Sequence, residues 1–238
     1  MRELGILEIF FGPAWTPDET LSWAPFLKHH DMHFFFYGPK SDAHLRRLWR
    51  DEWPLEYIEA LRQYSLSFRR HGIEFGVVLS PVEYKPSSDA DRACLQEKIR
   101  LLEDIGIDRL GLFFDDMKWT ADAFAGQIQA LQVAQSLTKA KILFCPMYYS
   151  DDPILDKVFG ARPVDYVAKI GEHVPAEIEI AWTGPKVISS EISADHLQRT
   201  AQVLRRSPFI CDNFFANDGP KQCYFLKIKP AVGRSPEA

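Results

Sequence analysis

Two adjacent carboxylates, Asp115 and Asp116, close an apolar run over residues 109–114. Side by side they repel, so one is expected to keep its proton to higher pH than the other, and a carboxyl group held that way can act as a general acid near neutrality. Two other uses fit the same pair. An aspartate after a strand can cap the next helix, and paired carboxylates can hold Mg²⁺ or Ca²⁺. Further polar residues follow other apolar runs: Lys40 after Tyr37-Gly38-Pro39, Tyr149 after Cys145-Pro146-Met147, Thr183 after Trp182, and Asn213 after Cys211-Asp212, with Asp218 shortly beyond. Lys40, Asn213 and Asp218 suit a hydroxyl-bearing ligand better than a metal shell. No histidine-rich set accompanies them, so neither a metal nor another cofactor is expected.

The elements that must position these residues are legible as alternation. Short apolar runs fall at 4–11, 32–37, 74–79, 109–114, 141–144, 178–182 and 209–210. Most are apolar on successive residues, as in strands buried on both faces. Longer amphipathic stretches lie between them, with helix punctuation. Thr16-Pro17-Asp18-Glu19 predicts a capping box, Thr120-Ala121-Asp122 and Ser193-Ala194-Asp195 predict helix starts, and Gly72 and Gly106 predict helix ends. Strands recur every thirty to forty residues or so, the size of a βαβ unit. The first strand runs into Phe10-Phe11-Gly12-Pro13-Ala14-Trp15-Thr16, without the glycine fingerprint of a dinucleotide or P-loop site. The expected fold is therefore α/β, a (β/α)8 TIM-type barrel, in which chemistry sits at the C-terminal ends of the strands.

Composition narrows the class. The chain has 238 residues, 46% of them hydrophobic and 26% charged, with a net charge of −5. That is an ordinary globular balance, and it excludes disordered, collagenous and coiled-coil chains. The acidic balance, without a basic cluster, argues against nucleic acid or an anionic membrane as partner. Cys94, Cys145, Cys211 and Cys223 form no CxxC pair. Free thiols in a reducing, cytoplasmic setting are expected. No signal peptide and no run of about 20 apolar residues is visible. A single domain over 1–238 is expected, with 230–238 as a tail.

Taken together, the strand-end motifs resemble glycoside hydrolase family 84, the β-N-acetylglucosaminidases that include O-GlcNAcase and bacterial enzymes labelled hyaluronidase. The resemblance rests on Glu8-Ile9-Phe10-Phe11-Gly12 with Trp15-Thr16, Tyr37-Gly38-Pro39-Lys40-Ser41-Asp42, Phe114-Asp115-Asp116, Leu143-Phe144-Cys145-Pro146 with Tyr149, Trp182-Thr183-Gly184-Pro185-Lys186-Val187, and Asp212-Asn213 with Ala216-Asn217-Asp218. It implies removal of terminal β-linked N-acetylglucosamine (GlcNAc) from a glycan or glycoprotein, with retention of configuration. The substrate's 2-acetamido oxygen would be the nucleophile and an oxazoline the intermediate, an exception to the two-carboxylate scheme. Asp115 would orient the acetamido group and Asp116 would be the acid and then the base. Tyr149 would contact the acetamido group. Lys40, Asn213 and Asp218 would bind sugar hydroxyls, and Cys145 and Thr183 would surround the acetyl methyl.

The chain departs from the family's pattern at three points. Ile9 stands where glycine is usual and could crowd the sugar. Cys211 replaces a pocket tryptophan. The eighth β–α unit, with its sugar-binding Asn-Pro, is expected to be absent, which leaves the outer strand edges open to a second copy of the chain. The alternative reading is a catalytically impaired GlcNAc-binding remnant of the same family. Elsewhere, Phe34–36 and Phe113-Phe114 read as barrel filling, Trp182 as either packing or cleft lining, and the Arg69-Arg70-His71 and Arg205-Arg206 clusters as solvated helix-end charges.

Overall fold

Seven short strands alternate with helices along the chain in a computed structural model that describes residues 3–213, 216 and 232–235. The chain divides into two compact units, Met1–Phe113 with Gln129–Ile142, and Phe114–Ile128 with Leu143–Ala238. In the first, strands β1 (Gly5–Glu8), β2 (Phe34–Tyr37), β3 (Glu74–Leu79) and β4 (Arg109–Phe113) are parallel and pair in chain order. Helices α1 (Pro17–His29), α2 (Leu55–Arg70) and α3 (Asp89–Ile105) connect them, and α4 (Ala123–Leu137) follows β4. In the second, β5 (Lys141–Cys145), β6 (Glu179–Trp182) and β7 (Phe209–Ile210) are again parallel and in order. Two short helices, α5 (Ile154–Phe159) and α6 (Tyr166–His173), precede β6, and α7 (Ala194–Leu204) precedes β7. Among the described residues seven parallel strands run in series, each of the first six followed by a helix, which is the pattern of a (β/α)8-type barrel, as expected. No helix among the described residues is long and apolar enough to cross a membrane.

The predicted punctuation forms the predicted ends. Thr16 caps α1 in a complete capping box with Glu19, and the Ser193 hydroxyl accepts the His196 N–H at the start of α7. Helix α3 closes on Gly106 in the left-handed region, at φ 84°. Helix α4 begins at Ala123, directly after Asp122. The three phenylalanines of β2 are all buried, and Phe35, Phe68 and Phe75 stack at 4.8 and 5.4 Å. Successive apolar residues are what a strand covered on both faces requires.

At the N-terminal ends of β3, β4 and β5 lies a cluster of charges. The Arg109 side chain, 1% exposed, donates to Glu74 and to Glu3, and its guanidinium stacks 4.5 Å from the Phe34 ring centre. Lys141 donates to Glu74 at 2.8 Å. A buried guanidinium costs much to desolvate unless it is paired this way.

The expectation of a solvated charge is corrected at one helix-end arginine, and another proves exposed but partnered. Arg206 is not a solvated charge: its guanidinium donates to the carbonyls of Val174, Pro175 and Ile178, clamping the turn from α6 into β6. Arg69 is half exposed, yet it donates to the carbonyl of Gly106 at 2.9 Å and to Asp108 at 3.0 Å. In each case the partner is over 25 residues away in sequence, so the local pattern showed only a helix end.

The end of β1 carries a buried acid. Glu8 is 0% exposed, and its Oε1 accepts the Trp15 N–H at 3.0 Å, tying the loop after β1 back to the strand. Its Oε2 meets no donor among the described residues. Burial, with Asp42 and Glu19 nearby, pushes this carboxyl up to about 7 against the lowering effect of the Trp15 bond. Between pH 4.5 and 7 the unfolded chain has therefore released a proton that the folded protein still holds, so stability falls as pH rises.

Two stability predictions follow from these contacts. Glu8→Gln should flatten a loss of up to roughly 3 kcal/mol between pH 4.5 and 7, checked by urea melts across that range; an unchanged slope would remove Glu8 as its source. Arg206→Ala strands three carbonyls and should cost about 2–3 kcal/mol at every pH, measured by the same melts.

Candidate active site

The second unit gathers most of the predicted residues at the C-terminal ends of its strands. The bond from the Phe114 N–H to the Cys145 carbonyl, 2.9 Å, continues the backbone pairing past β4 and sets Asp115 and Asp116 at the strand's end. Asp115 is 7% exposed, while Asp116 is half-buried with φ at 59°. Aspartate tolerates the left-handed region better than most residues, at a cost of order 1 kcal/mol, and such strain gathers at functional positions. The side chain of Asp116 thus leaves the chain just after a sharp change of backbone direction.

Tyr149 faces the same carboxylates. Burial, then the charges of Asp115 and Asp116, push its hydroxyl far above the usual tyrosine range, so it stays protonated and available as a donor. Its carbonyl accepts the Thr183 N–H at 3.0 Å, which places Thr183 beside it. Cys145 is buried at the end of β5, and Thr183, also buried, donates its hydroxyl to the Lys186 carbonyl at 3.0 Å. Cys211 is next in line, its N–H bonded to the Trp182 carbonyl at 3.0 Å. Burial, together with Asp115 and two other carboxylates, pushes its thiol up to about 12, so the sulfur is neutral at physiological pH. Asn213 donates from Nδ2 to the Val187 carbonyl at 3.1 Å. The neighbouring Asp212 takes both oxygens to Arg234 at 2.7 Å.

Asp115, Asp116, Tyr149, Cys145, Thr183, Cys211 and Asn213 are therefore linked by successive strand ends of one unit. Asp218 and Cys223 lie outside the described residues. Among the described residues Cys94 and Cys211 are free thiols. Trp182 is packing rather than cleft lining: it is 1% exposed and its Nε1 donates to His196 Nε2 at 3.2 Å. Phe113 and Phe114 are buried, as their filling role requires.

Ile9 and Lys40 belong to the first unit. Ile9 follows β1 directly and is half-buried. Lys40 is held by its backbone, whose N–H donates to the Phe10 carbonyl at 3.1 Å, and its Nζ lies 5.9 Å from the Phe11 ring centre. Asp42 fastens this loop. One oxygen accepts the hydroxyls of Tyr37 and Tyr57 at 3.1 and 2.8 Å, the other the N–H groups of His44 and Leu45. Burial foremost, and the Asp42 charge after it, push both tyrosine hydroxyls well above their usual range, so both remain donors. Gly38 is needed where it stands, since a Cβ there would sit 2.5 Å from that of Val78.

Sequence reasoning missed the supports of these loops. Asp152 hydrogen-bonds the N–H groups of Ile154 and Val187, and buried Gln127 and Tyr166 together hold the Met147 N–H. Asp152 lies in the loop between β5 and α5, and its partner Val187 is 35 residues away. Gln127 and Tyr166 sit on helices, and nothing in their spacing points to a strand end.

Comparison with known proteins meets this geometry. The family model described as beta-N-acetylglucosaminidase matches residues 4–238. The chain is 29% identical over 245 residues to Protein O-GlcNAcase of Rattus norvegicus and equally to that of Mus musculus, covering 98% of this chain and 26% of each relative. A mutant of the Thermobaculum terrenum O-GlcNAc hydrolase superposes with a TM-score of 0.87 at 28% identity, over 99% of this chain and 52% of that one. The chain thus spans about a quarter of the length of the curated relatives and about half of the solved structure. Matched by that family model over nearly its whole length, the chain belongs to the β-N-acetylglucosaminidase family.

Proposed function

We propose that this chain is a glycoside hydrolase that removes terminal β-linked GlcNAc from a glycan or glycoprotein, through a retaining reaction in which the substrate's own acetamido group is the nucleophile. The observation that carries the reading is the asymmetry of the aspartate pair. Asp115 is buried and Asp116 is half-buried on left-handed backbone, and both charges act on a Tyr149 hydroxyl that keeps its proton. Two carboxylates in unlike settings are what opposite proton tasks require. Membership of the family supports the substrate class.

In the first step the acetamido oxygen attacks the anomeric carbon while the glycosidic bond breaks. Asp116 gives its proton to the departing oxygen, and Asp115 orients the acetamido N–H and takes up its developing charge. In the second step Asp116 removes a proton from water, the hydroxide adds to the anomeric carbon, and the oxazoline ring opens to restore the acetamide. Tyr149 donates toward the acetamido group. Cys145, Thr183 and Cys211 line the acetyl methyl, for which a neutral thiol is suitable. Asn213 and Lys40, with Asp218, bind sugar hydroxyls. No step needs a cofactor.

Fluorophore release from an aryl β-GlcNAc substrate tests the reading. Asp116→Asn should lower kcat about 10²-fold or more, the usual size of general acid–base assistance. Asp115→Asn should lose a similar factor even with a good leaving group, because the acetamido step is impaired. Absence of turnover by the folded wild type would overturn the hydrolase reading. In that case tight calorimetric binding of an oxazoline mimic would identify a GlcNAc-binding remnant.

A further inference from the structure

Asp152 does more than begin a helix. It is about 15% exposed and spends its two oxygens on separate tasks. Oδ1 accepts the Ile154 N–H at 3.1 Å and pairs with Lys186 Nζ at 3.5 Å. Oδ2 accepts the Val187 N–H at 3.2 Å, 35 residues along the chain. The carbonyl of that same Val187 accepts the Asn213 side-chain amide at 3.1 Å. Asp152 and Asn213 thus grip one residue by its two backbone groups, from opposite sides in sequence.

The segment between them is over-determined. The Ser189 hydroxyl accepts the Lys186 N–H and donates its one hydrogen to the Thr183 carbonyl at 2.8 Å, with the Lys186 carbonyl also in reach at 3.0 Å. The Ser150 hydroxyl donates to the Gly184 carbonyl at 2.9 Å. Gly184 has φ at 99°, and a Cβ there would meet Ser189 Oγ at 2.5 Å, so the turn admits little else. Burial opposes charge on Asp152, yet these N–H donors and Lys186 hold its carboxyl below the usual range, so it is ionised at neutral pH and its acceptors are always available.

We infer that Asp152 is a positioning residue for sugar binding: through the Val187 peptide groups it sets the place of Asn213, and with it the hydroxyl contact, without touching the reacting atoms. This rests on the proposed role of Asn213 as a sugar-binding group. A helix cap alone would affect folding but not the affinity for substrate selectively. A positioning residue shifts KM in a way that depends on Asn213.

The test is a double-mutant cycle on the aryl β-GlcNAc substrate, with calorimetry of an oxazoline mimic alongside. Asp152→Ala should raise KM about tenfold, the equivalent of one well-made hydrogen bond, with kcat within about twofold. Asp152→Asn, which retains one acceptor and the side-chain volume, should raise it about threefold. It carries the test should the alanine variant not fold. In an Asn213→Ala background neither substitution should raise KM further. An unchanged KM, or the same rise again without Asn213, overturns the inference while leaving the hydrolase reading intact. A folded wild type that neither turns over substrate nor binds the mimic overturns both.

Discussion

Parallel pairing does not stop where the strands do, and the rest of the site depends on that continuation. In the first unit the Gly38 N–H donates to the Glu8 carbonyl and the Lys40 N–H to that of Phe10, both at 3.1 Å. In the second, Phe114 bonds to Cys145, Thr183 to Tyr149 and Cys211 to Trp182, at 2.9–3.0 Å. Each bond lies at or just past the C-terminal end of a strand. A parallel ladder points its donors and acceptors sideways at the neighbouring strand, and buried peptide groups just past the strand ends must be satisfied too. The loops that carry Lys40, Asp115, Tyr149, Thr183 and Cys211 are thereby aligned by the backbone before any side chain acts.

The two ends of the strands are used differently. At the N-terminal ends of β3, β4 and β5, Arg109, Glu74, Glu3 and Lys141 neutralise one another, and the network serves stability. At the C-terminal ends the polar groups are buried one by one and held apart by backbone bonds. Asp42 takes four donors, and Asp152 takes two N–H groups and a lysine. A barrel of this class commonly divides its labour this way. Carboxylates already saturated with donors act as fasteners and leave proton transfer to others.

Much of the fold was legible because its signals are local. Uninterrupted apolar runs such as Phe34-Phe35-Phe36 mark strands covered on both faces. Thr16 with Glu19, Ser193 and Gly106 mark helix ends through contacts within four residues. The strand-end positions of Asp115, Tyr149 and Thr183 followed from the same reading. The supports were not legible, because each joins distant segments: Asp152 to Val187, Gln127 and Tyr166 to Met147, Arg206 to the α6–β6 turn. Arg206 looked like a solvated charge for the same reason. A helix-end arginine and a carbonyl clamp have one local sequence.

By itself, the sequence determined which residues could do chemistry and on which elements they ride, because residue type and hydrophobic period are properties of a few neighbouring positions. It also determined the family, since six motifs in one order are carried by the chain itself. Only the tertiary structure decided how unlike the two adjacent aspartates are, with Asp115 buried and Asp116 half-buried at φ 59°. It alone showed that Asp152 reaches Asn213 through Val187. Burial, backbone strain and shared hydrogen-bond partners depend on which distant segments pack together, and that is settled when the strands pair.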